Sequence, residues 1–198
     1  DTEMRTARSV FVLGLCSLAV AAAALSPASE ELFKAVAQDD AELIQKALEK
    51  GADLNAIGPG GQTPIMHATL TGKEKSAKFL LAESPDVTIG EKDGYTPMHG
   101  AGFQGRPAIA EMLLAHGVSA RDKHKDGFEP IFRACWGREE RHTETVRVLL
   151  DAGVPVDVVA DNGMSLLDAT KNKNTKKLIE RRLKEAKKAA KGKGGSEL

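Results

Sequence analysis

The sequence predicts an all-α solenoid, in which stacked helix pairs are joined by β-turn fingers and preceded by one N-terminal hydrophobic helix. Four glycines, Gly61, Gly94, Gly127 and Gly163, lie 33, 33 and 36 residues apart. A proline-containing hexapeptide and then a leucine pair follow each of the first three glycines. Self-similarity at a fixed period of about 20 to 50 residues indicates a repeat array and not a domain with one central core.

The hexapeptides predict the first helix of each unit. They occupy residues 63–68, 96–101 and 129–134, and each has proline at its second position. Proline suits a first helical turn because its missing N–H group would be unpaired there in any case.

The leucine pairs predict the second helix of each unit, since they lie on apolar stripes of helical period. The pairs at 80–81 and 113–114 follow their hexapeptide by twelve residues, whereas the pair at 149–150 follows by fifteen. The three extra residues lie within 137–142. We interpret them either as drift in the length of a surface loop or as a contact element.

A turn and a polar finger complete each unit. Glycine ends the second helix at Gly51, Gly117 and Gly153, and Ser84 takes this place in one unit. On these motifs the chain resembles the ankyrin repeat family, whose signature is a 33-residue period with a T-P-L-H-x-A opening. Residues 96–99 (Thr-Pro-Met-His) and 51–55 (Gly-Ala-Asp-Leu-Asn) are close matches. The usual histidine is replaced at three positions, by Met66, Phe132 and Asp168.

The resemblance covers roughly residues 30–185, and we expect the chain to have three parts. Residues 1–28 are the hydrophobic segment with its basic flank, and residues 187–198 are a basic, flexible tail. Between them we expect about five repeats including caps, at 29–61, 62–94, 95–127, 128–163 and 164–186. The N-terminal cap is predicted to begin with Ser29 as the N-cap of its helix, and the C-terminal cap has a Lys/Glu-rich second helix.

Charge is balanced over the chain but not along it. The formal net charge is zero, yet eleven Lys/Arg between Lys171 and Lys193 outnumber two glutamates. This tail could contact anionic lipid, pair with an acidic protein or solubilise the end of the array. A nucleic-acid site would need a basic face with aromatic residues or a known binding fold, and neither accompanies the tail.

Residues 10–25 form a run of sixteen without a charge, preceded by Arg5 and Arg8. A bilayer core needs about 17 to 25 residues, so three interpretations remain: a removable signal, a retained anchor, or a helix buried in protein. We expect a retained anchor, with the repeats on the non-cytoplasmic side because of the flanking positive charge. The membrane-contacting residues are then Val10, Phe11, Val12, Leu13, Leu15, Leu18 and Val20.

The first residues bear on location. An Asp-Thr-Glu start fits removal of an upstream targeting peptide, and a missing or engineered start looks the same. On the first interpretation we expect an imported organelle protein of the thylakoid or mitochondrial inner membrane. Periplasm and secretory lumen are the alternatives.

The sequence contains only incomplete matches to known cofactor-binding and metal-binding motifs. Residues 100–105 match G-x-G-x-x-G but start inside a predicted helix with no strand before it, so no dinucleotide site is expected. Residues 122–127 resemble the start of a calcium loop, yet Arg133 stands where the twelfth-position glutamate is required. The five histidines lack metal-ligand spacing, and two cysteines, Cys16 and Cys135, exclude a disulfide framework. We expect no enzyme, cofactor, metal or small-molecule substrate.

The register instead predicts a protein-binding face. The resemblance to ankyrin arrays implies that partner proteins bind to the finger tips and the first helices. Large aromatic side chains on such a face are typical hot spots. The predicted contact residues are Leu70, Tyr95, Phe103, Gln104, Phe128 and Trp136, with a polar rim of Lys92, Asp93, Lys123, His124 and Lys125. Tyr95 and Phe128 could instead pack against neighbouring fingers. We expect an accessory or scaffold subunit of a membrane complex; a soluble secreted or periplasmic binding protein is the alternative.

Overall fold

The structure is a computed structural model, and it describes residues 25–193. Helices and connecting loops make up this part of the chain, with a short 3₁₀ turn at Pro59–Gly61 and no strand among the described residues. The α-helices form consecutive pairs: α1 (Pro27–Gln38) and α2 (Ala41–Glu49), α3 (Pro64–Thr71) and α4 (Glu74–Ala82), α5 (Pro97–Gln104) and α6 (Pro107–Ala115), α7 (Pro130–Cys135) and α8 (Glu140–Asp151), α9 (Leu166–Ala169) and α10 (Lys173–Lys193).

The pairs stack into two layers. The first helices α1, α3, α5, α7 and α9 contact one another in that order, and the second helices α2, α4, α6, α8 and α10 do the same. Each helix also packs on the other member of its pair. This arrangement confirms the predicted all-helical array. The hydrophobic helix predicted before it lies outside the described residues.

The leucine pairs hold the two layers together. Leu80, Leu113 and Leu149 are fully buried at equivalent places in α4, α6 and α8. Ile65, Met98 and Ile131 of the hexapeptides are fully buried against them. Since truncation of such a side chain costs about 2 to 5 kcal/mol, this repeated contact is the main support of the stack.

The first helices begin where the hexapeptides predict. Pro64, Pro97 and Pro130 each occupy the first helical turn. The Thr63 hydroxyl accepts from the Met66 N–H group at 3.3 Å, which satisfies one of the free donors at the helix start. Glu129, which replaces this threonine, pairs with Arg121 at 2.8 Å instead.

The fingers are closed by tight turns at the repeat glycines. Gly61, Gly94, Gly127 and Gly163 have φ between 72° and 92°, a conformation that side chains rarely adopt. Backbone bonds close the fingers at their base, for example from Glu91 N–H to the Tyr95 carbonyl at 3.0 Å. Ser84 has φ 59°, so it adopts the left-handed turn for which the other units use glycine.

Two expectations at the ends of the array are wrong. The N-cap of α1 is Ser26 and not Ser29, because Pro27 occupies the first turn and the Ser26 hydroxyl accepts from Ser29 N–H at 3.1 Å. Helix α10 continues to Lys193, so residues 187–193 of the predicted tail are helical, where irregular chain was expected. Alanine and lysine, both strong helix formers, outweigh the single glycine in this stretch.

Candidate protein-binding site

A cleft of about 230 Å³ opens on the face formed by the first helices and the fingers. Its walls come from the ends of α3 and α5, from the finger before α5, and from α7. Five of the predicted contact residues line it, namely Leu70, Asp93, Tyr95, Phe103 and Gln104. Met66, Glu91, His99, Gly100 and Arg133 complete the lining. The array thus brings together side chains that are 67 residues apart in sequence.

The aromatic side chains of this face differ in exposure. Phe103 is 58% exposed, although large apolar side chains of its type are usually buried. Trp136 is 37% exposed and lies beside the cleft, with its ring centroid 5.1 Å from that of Phe128. Phe103 is therefore the side chain on this face with the most apolar surface left for a partner.

Tyr95 packs against the next finger, the second of the two placements that the sequence allows for it. Its ring stacks on His124 with centroids 4.0 Å apart, and its hydroxyl donates to an Asp126 carboxylate oxygen at 3.2 Å. Burial raises the pKa of the Tyr95 phenol, so the group stays protonated and remains a donor. Tyr95 forms one wall of the cleft and also holds two fingers together.

Arg133 forms the floor of the cleft, and the sequence did not identify it as a site residue. Only 5% of its side chain is exposed. Its guanidinium carbon lies 4.8 Å, 5.3 Å and 4.6 Å from the ring centroids of Tyr95, Phe128 and Trp136. An arginine between apolar hexapeptide residues, Phe132 and Ala134, could have indicated it, because arginine is seldom buried without a partner.

Asp126 is the partner of Arg133. An Nη2 group of Arg133 donates to the Asp126 carboxylate at 2.5 Å, and the carboxylate also lies 3.0 Å from Nδ1 of His124. Partial burial alone would raise the pKa of Asp126, but the hydrogen bonds from Arg133 and His124 hold it well below its usual range. The carboxylate is ionised at neutral pH and compensates the buried guanidinium charge.

His124 was predicted at the polar rim, and this placement is wrong. It is 7% exposed, and its Nε2 lies 3.0 Å from the Asp93 carbonyl oxygen in the preceding finger. Stacking on Tyr95 and this backbone contact together draw the ring inside. The other rim residues, Lys92, Asp93, Lys123 and Lys125, are exposed as expected. Lys123 pairs with Asp161 of the next finger at 2.7 Å.

His99 contacts Thr96 at the start of its own helix and lies near Asp122 of the next finger. The Thr96 hydroxyl lies 2.9 Å from Nδ1 of His99 and donates to the Asp122 carboxylate at 2.8 Å. Burial lowers the pKa of His99, and the charge of Arg133 lowers it further against the opposing effect of Asp122. In the calcium-like segment, Asp122 and His124 are thus occupied by contacts to residues 93–96.

The one cysteine among the described residues is held inside the array. Cys135 is fully buried in α7, and burial raises the pKa of its thiol to about 12. At neutral pH the thiol is therefore protonated and unable to act as a nucleophile. Among the described residues, no cluster of His, Cys, Asp and Glu is arranged to hold a metal ion.

The G-x-G-x-x-G segment belongs to α5 and its end, as the register predicts. Gly102 faces α7, and a Cβ atom there would lie 2.4 Å from the Pro130 carbonyl oxygen. Gly105 ends the helix with φ 61°. The glycines therefore allow close helix packing and a tight turn.

The three-residue insertion makes contacts on both sides of its unit. His142 is buried, and its Nε2 lies 3.3 Å from the Phe103 carbonyl oxygen at the end of α5. On the other side, an Asn174 amide donates to a Glu140 carboxylate oxygen at 2.7 Å. The insertion joins three consecutive helix pairs, although contact with an external partner stays a prediction.

Residues 10–20, predicted to contact a membrane, lie outside the described residues. Of the helices that the structure describes, none is both long enough and apolar enough to cross a bilayer.

Comparison with known protein families finds ankyrin repeats in the chain. Residues 32–124 match the family model described as ankyrin repeats (3 copies). The matched segment runs from α1 to the finger before α7 and includes most of the cleft lining. Ankyrin repeats are protein-interaction domains and are typically non-catalytic. A comparison with curated proteins finds no match.

Proposed function

We propose, from the ankyrin repeats in residues 32–124, that this chain binds a partner protein in the cleft between α3, α5 and α7. The observation that carries the proposal is Phe103, which stands 58% exposed at the wall of a cleft with a buried Arg133 at its floor. A preformed pocket flanked by an exposed aromatic side chain has the properties of an interaction hot spot.

The contacts around the cleft support recognition without rearrangement. The Arg133–Asp126 pair, the Tyr95 ring and the His124 contact to Asp93 connect α7 with two fingers. A partner side chain would enter a site whose walls are already ordered, and this lowers the entropy lost on binding. Recognition by such a surface needs no covalent step.

For the wider role we propose an accessory or scaffold subunit of a membrane complex, anchored by residues 10–25. The uncharged run behind Arg5 and Arg8 supports the anchor, and the organelle membranes named above are the proposed location. Carbonate extraction of native membranes tests it. An anchored chain stays in the membrane fraction, and release of the intact chain would favour the soluble secreted or periplasmic alternative.

Co-purification from native membranes in mild detergent tests the cleft. Replacement of a hot-spot aromatic side chain by alanine costs about 2 kcal/mol or more of binding free energy. We therefore expect Phe103→Ala to lose a protein that the wild type retains, and Trp136→Ala to weaken its retention less.

Ile57→Ala is the matched control for this experiment. Ile57 is 52% exposed, so its truncation removes exposed apolar surface without touching the cleft lining. Retention of the partner by the control and its loss from Phe103→Ala would support the cleft. Unchanged recovery of every companion protein with both aromatic variants would rule it out.

A further inference from the structure

Helix α10 carries a row of exposed lysines along its length, beginning beside α8, where Lys177 and Glu140 line one shallow depression. Thr175, Leu178 and Ile179 are buried against the rest of the stack, and Leu183 is half-buried on the same side. Five exposed lysines lie on the other side, at helical spacings of 4, 7, 4 and 3 residues, with one exposed acid, Glu180, between the second and the third. We call these lysines the lysine stripe: Lys173, Lys177, Lys184, Lys188 and Lys191.

The lysine stripe is long, and its charges are not neutralised by neighbouring side chains that the structure describes. At about 1.5 Å per residue, the distance from Lys173 to Lys191 is about 27 Å. Arg182 pairs with Asp151, and Arg181 pairs with Glu185 at 3.7 Å. Among the described residues, none of the five stripe lysines has an ion-pair partner. Their charge is therefore available to an external anion.

The surroundings of the stripe favour a lipid surface over a protein. Every residue from Lys184 to Lys191 is exposed, and the apolar ones among them are alanines. A protein interface needs larger apolar or aromatic anchors at its centre, and this half of α10 has none. A plane of anionic headgroups attracts each nearby lysine without requiring shape complementarity, and clusters of four to eight basic residues on an amphipathic helix are typical of such binding.

We infer that the lysine stripe of α10 binds the surface of an anionic lipid bilayer. The contact is electrostatic and shallow, because no apolar side chain on this face can enter the acyl region. It is independent of the cleft, whose lining residues lie in the second to fourth helix pairs.

Vesicle partitioning of the full chain tests the inference. The measured quantity is the ratio of the partition coefficient on vesicles of phosphatidylcholine with phosphatidylserine to that on phosphatidylcholine alone. The ratio cancels any uncharged contribution of residues 10–25. We expect a ratio far above one, and a triple variant (Lys184→Gln, Lys188→Gln, Lys191→Gln) should lower it by up to about 100-fold.

A second triple variant (Lys46→Gln, Lys75→Gln, Lys78→Gln) is the matched control. These lysines are also exposed on helices, in α2 and α4, and their loss removes the same charge. We expect this control to retain the wild-type ratio. An equal fall in both variants would assign the effect to net charge and overturn the inference.

Amine acetylation read by mass spectrometry adds a residue-resolved measurement. On anionic vesicles the stripe lysines should react more slowly than on neutral vesicles, whereas Lys46 and Lys78 should react equally on both. Salt near 1 M, where the Debye length is about 3 Å, should abolish the difference.

A partition ratio of one for the wild type would overturn the inference. The inference would also be overturned if the wild type showed no preference for anionic vesicles but retained a protein that the stripe variant loses. That result would assign the stripe to an acidic protein.

Discussion

The buried Arg133 determines the chemistry of the cleft floor. Its guanidinium is surrounded by aromatic rings and compensated by one carboxylate, that of Asp126. Removal of one partner from a buried ion pair leaves an uncompensated charge, which costs more than the pair itself contributes. The stability of this region therefore depends on Asp126.

Asp126→Asn is expected to lower the free energy of unfolding by about 1 to 3 kcal/mol. A hydrogen bond to a charged group contributes in this range, and the one-third exposure of Asp126 keeps the cost below that of a fully buried pair. Chemical denaturation of purified protein measures the change.

The control for this prediction is Glu31→Gln, which breaks the ion pair between Glu31 and Lys50. Both side chains of that pair are about half exposed, so a loss below about 1 kcal/mol is expected. Equal losses in the two variants would contradict the proposed importance of Arg133 burial.

At the scale of the element, the two glycines inside α5 have different neighbours. A Cβ atom on Gly102 would meet the Pro130 carbonyl oxygen at 2.4 Å, and backbone cannot move cheaply. A Cβ atom on Gly100 would meet the ends of the Leu70 and Met66 side chains at 3.3 Å, and these can shift. The α5–α7 contact therefore requires glycine at only one of the two positions.

Gly102→Ala should destabilise the protein by about 1 to 3 kcal/mol, because overpacking separates α5 from α7. Gly100→Ala should be close to neutral, since alanine gains up to about 1 kcal/mol in a helix interior and the contact is soft. Thermal unfolding of both variants measures the difference. A Gly102→Ala protein as stable as wild type would show that α5 does not approach α7 as closely as described.

Helix starts and turns were predictable because their signals are local. Proline at the first turn and glycine at the finger turns act within a few residues, and the structure places α3, α5 and α7 accordingly. Ser26 was missed because Ser29 offers the same chemistry three residues later. The end of α10 was missed because Gly192, Gly194 and Gly195 were given more weight than the alanines and lysines before them.

The site was predictable only in part, because its contacts join different repeats. The register identified Phe103 and Leu70, which face outwards on their helices, and Tyr95, which follows a finger glycine. It could not identify the burial of His124, which depends on Tyr95 and on the Asp93 carbonyl 31 residues away. Arg133 was missed for the same reason, since its partner is Asp126 of the preceding finger.

At the scale of the whole molecule, histidine burial couples stability to pH. His99 is 2% exposed and has a lowered pKa, with burial as the largest cause. Between its folded pKa and the unfolded value of 6.5, the unfolded chain binds more protons than the folded one. Stability is therefore complete above about pH 6.5 and falls as the pH is lowered through this window.

Urea denaturation at a series of pH values from 8 to 5 should show this fall, by at most about 1.4 kcal/mol per pH unit from His99. His99→Gln should reduce the slope, whatever its effect on stability at pH 8. Asp126 should not contribute here, because its lowered pKa affects stability only below about pH 4. An unchanged slope in the variant would show that His99 is not the coupled group.

The stacking order determines where a helix pair could be added to the array without disturbing its surfaces. Each helix pair packs mainly on its immediate neighbours, so interfaces of one type recur along the array. The cleft occupies the second to fourth pairs, whereas the lysine stripe occupies the last. Duplication of α1 and α2 would lengthen the molecule and leave both surfaces intact, whereas a unit added between α5 and α7 would separate Phe103 from Arg133 and abolish the cleft.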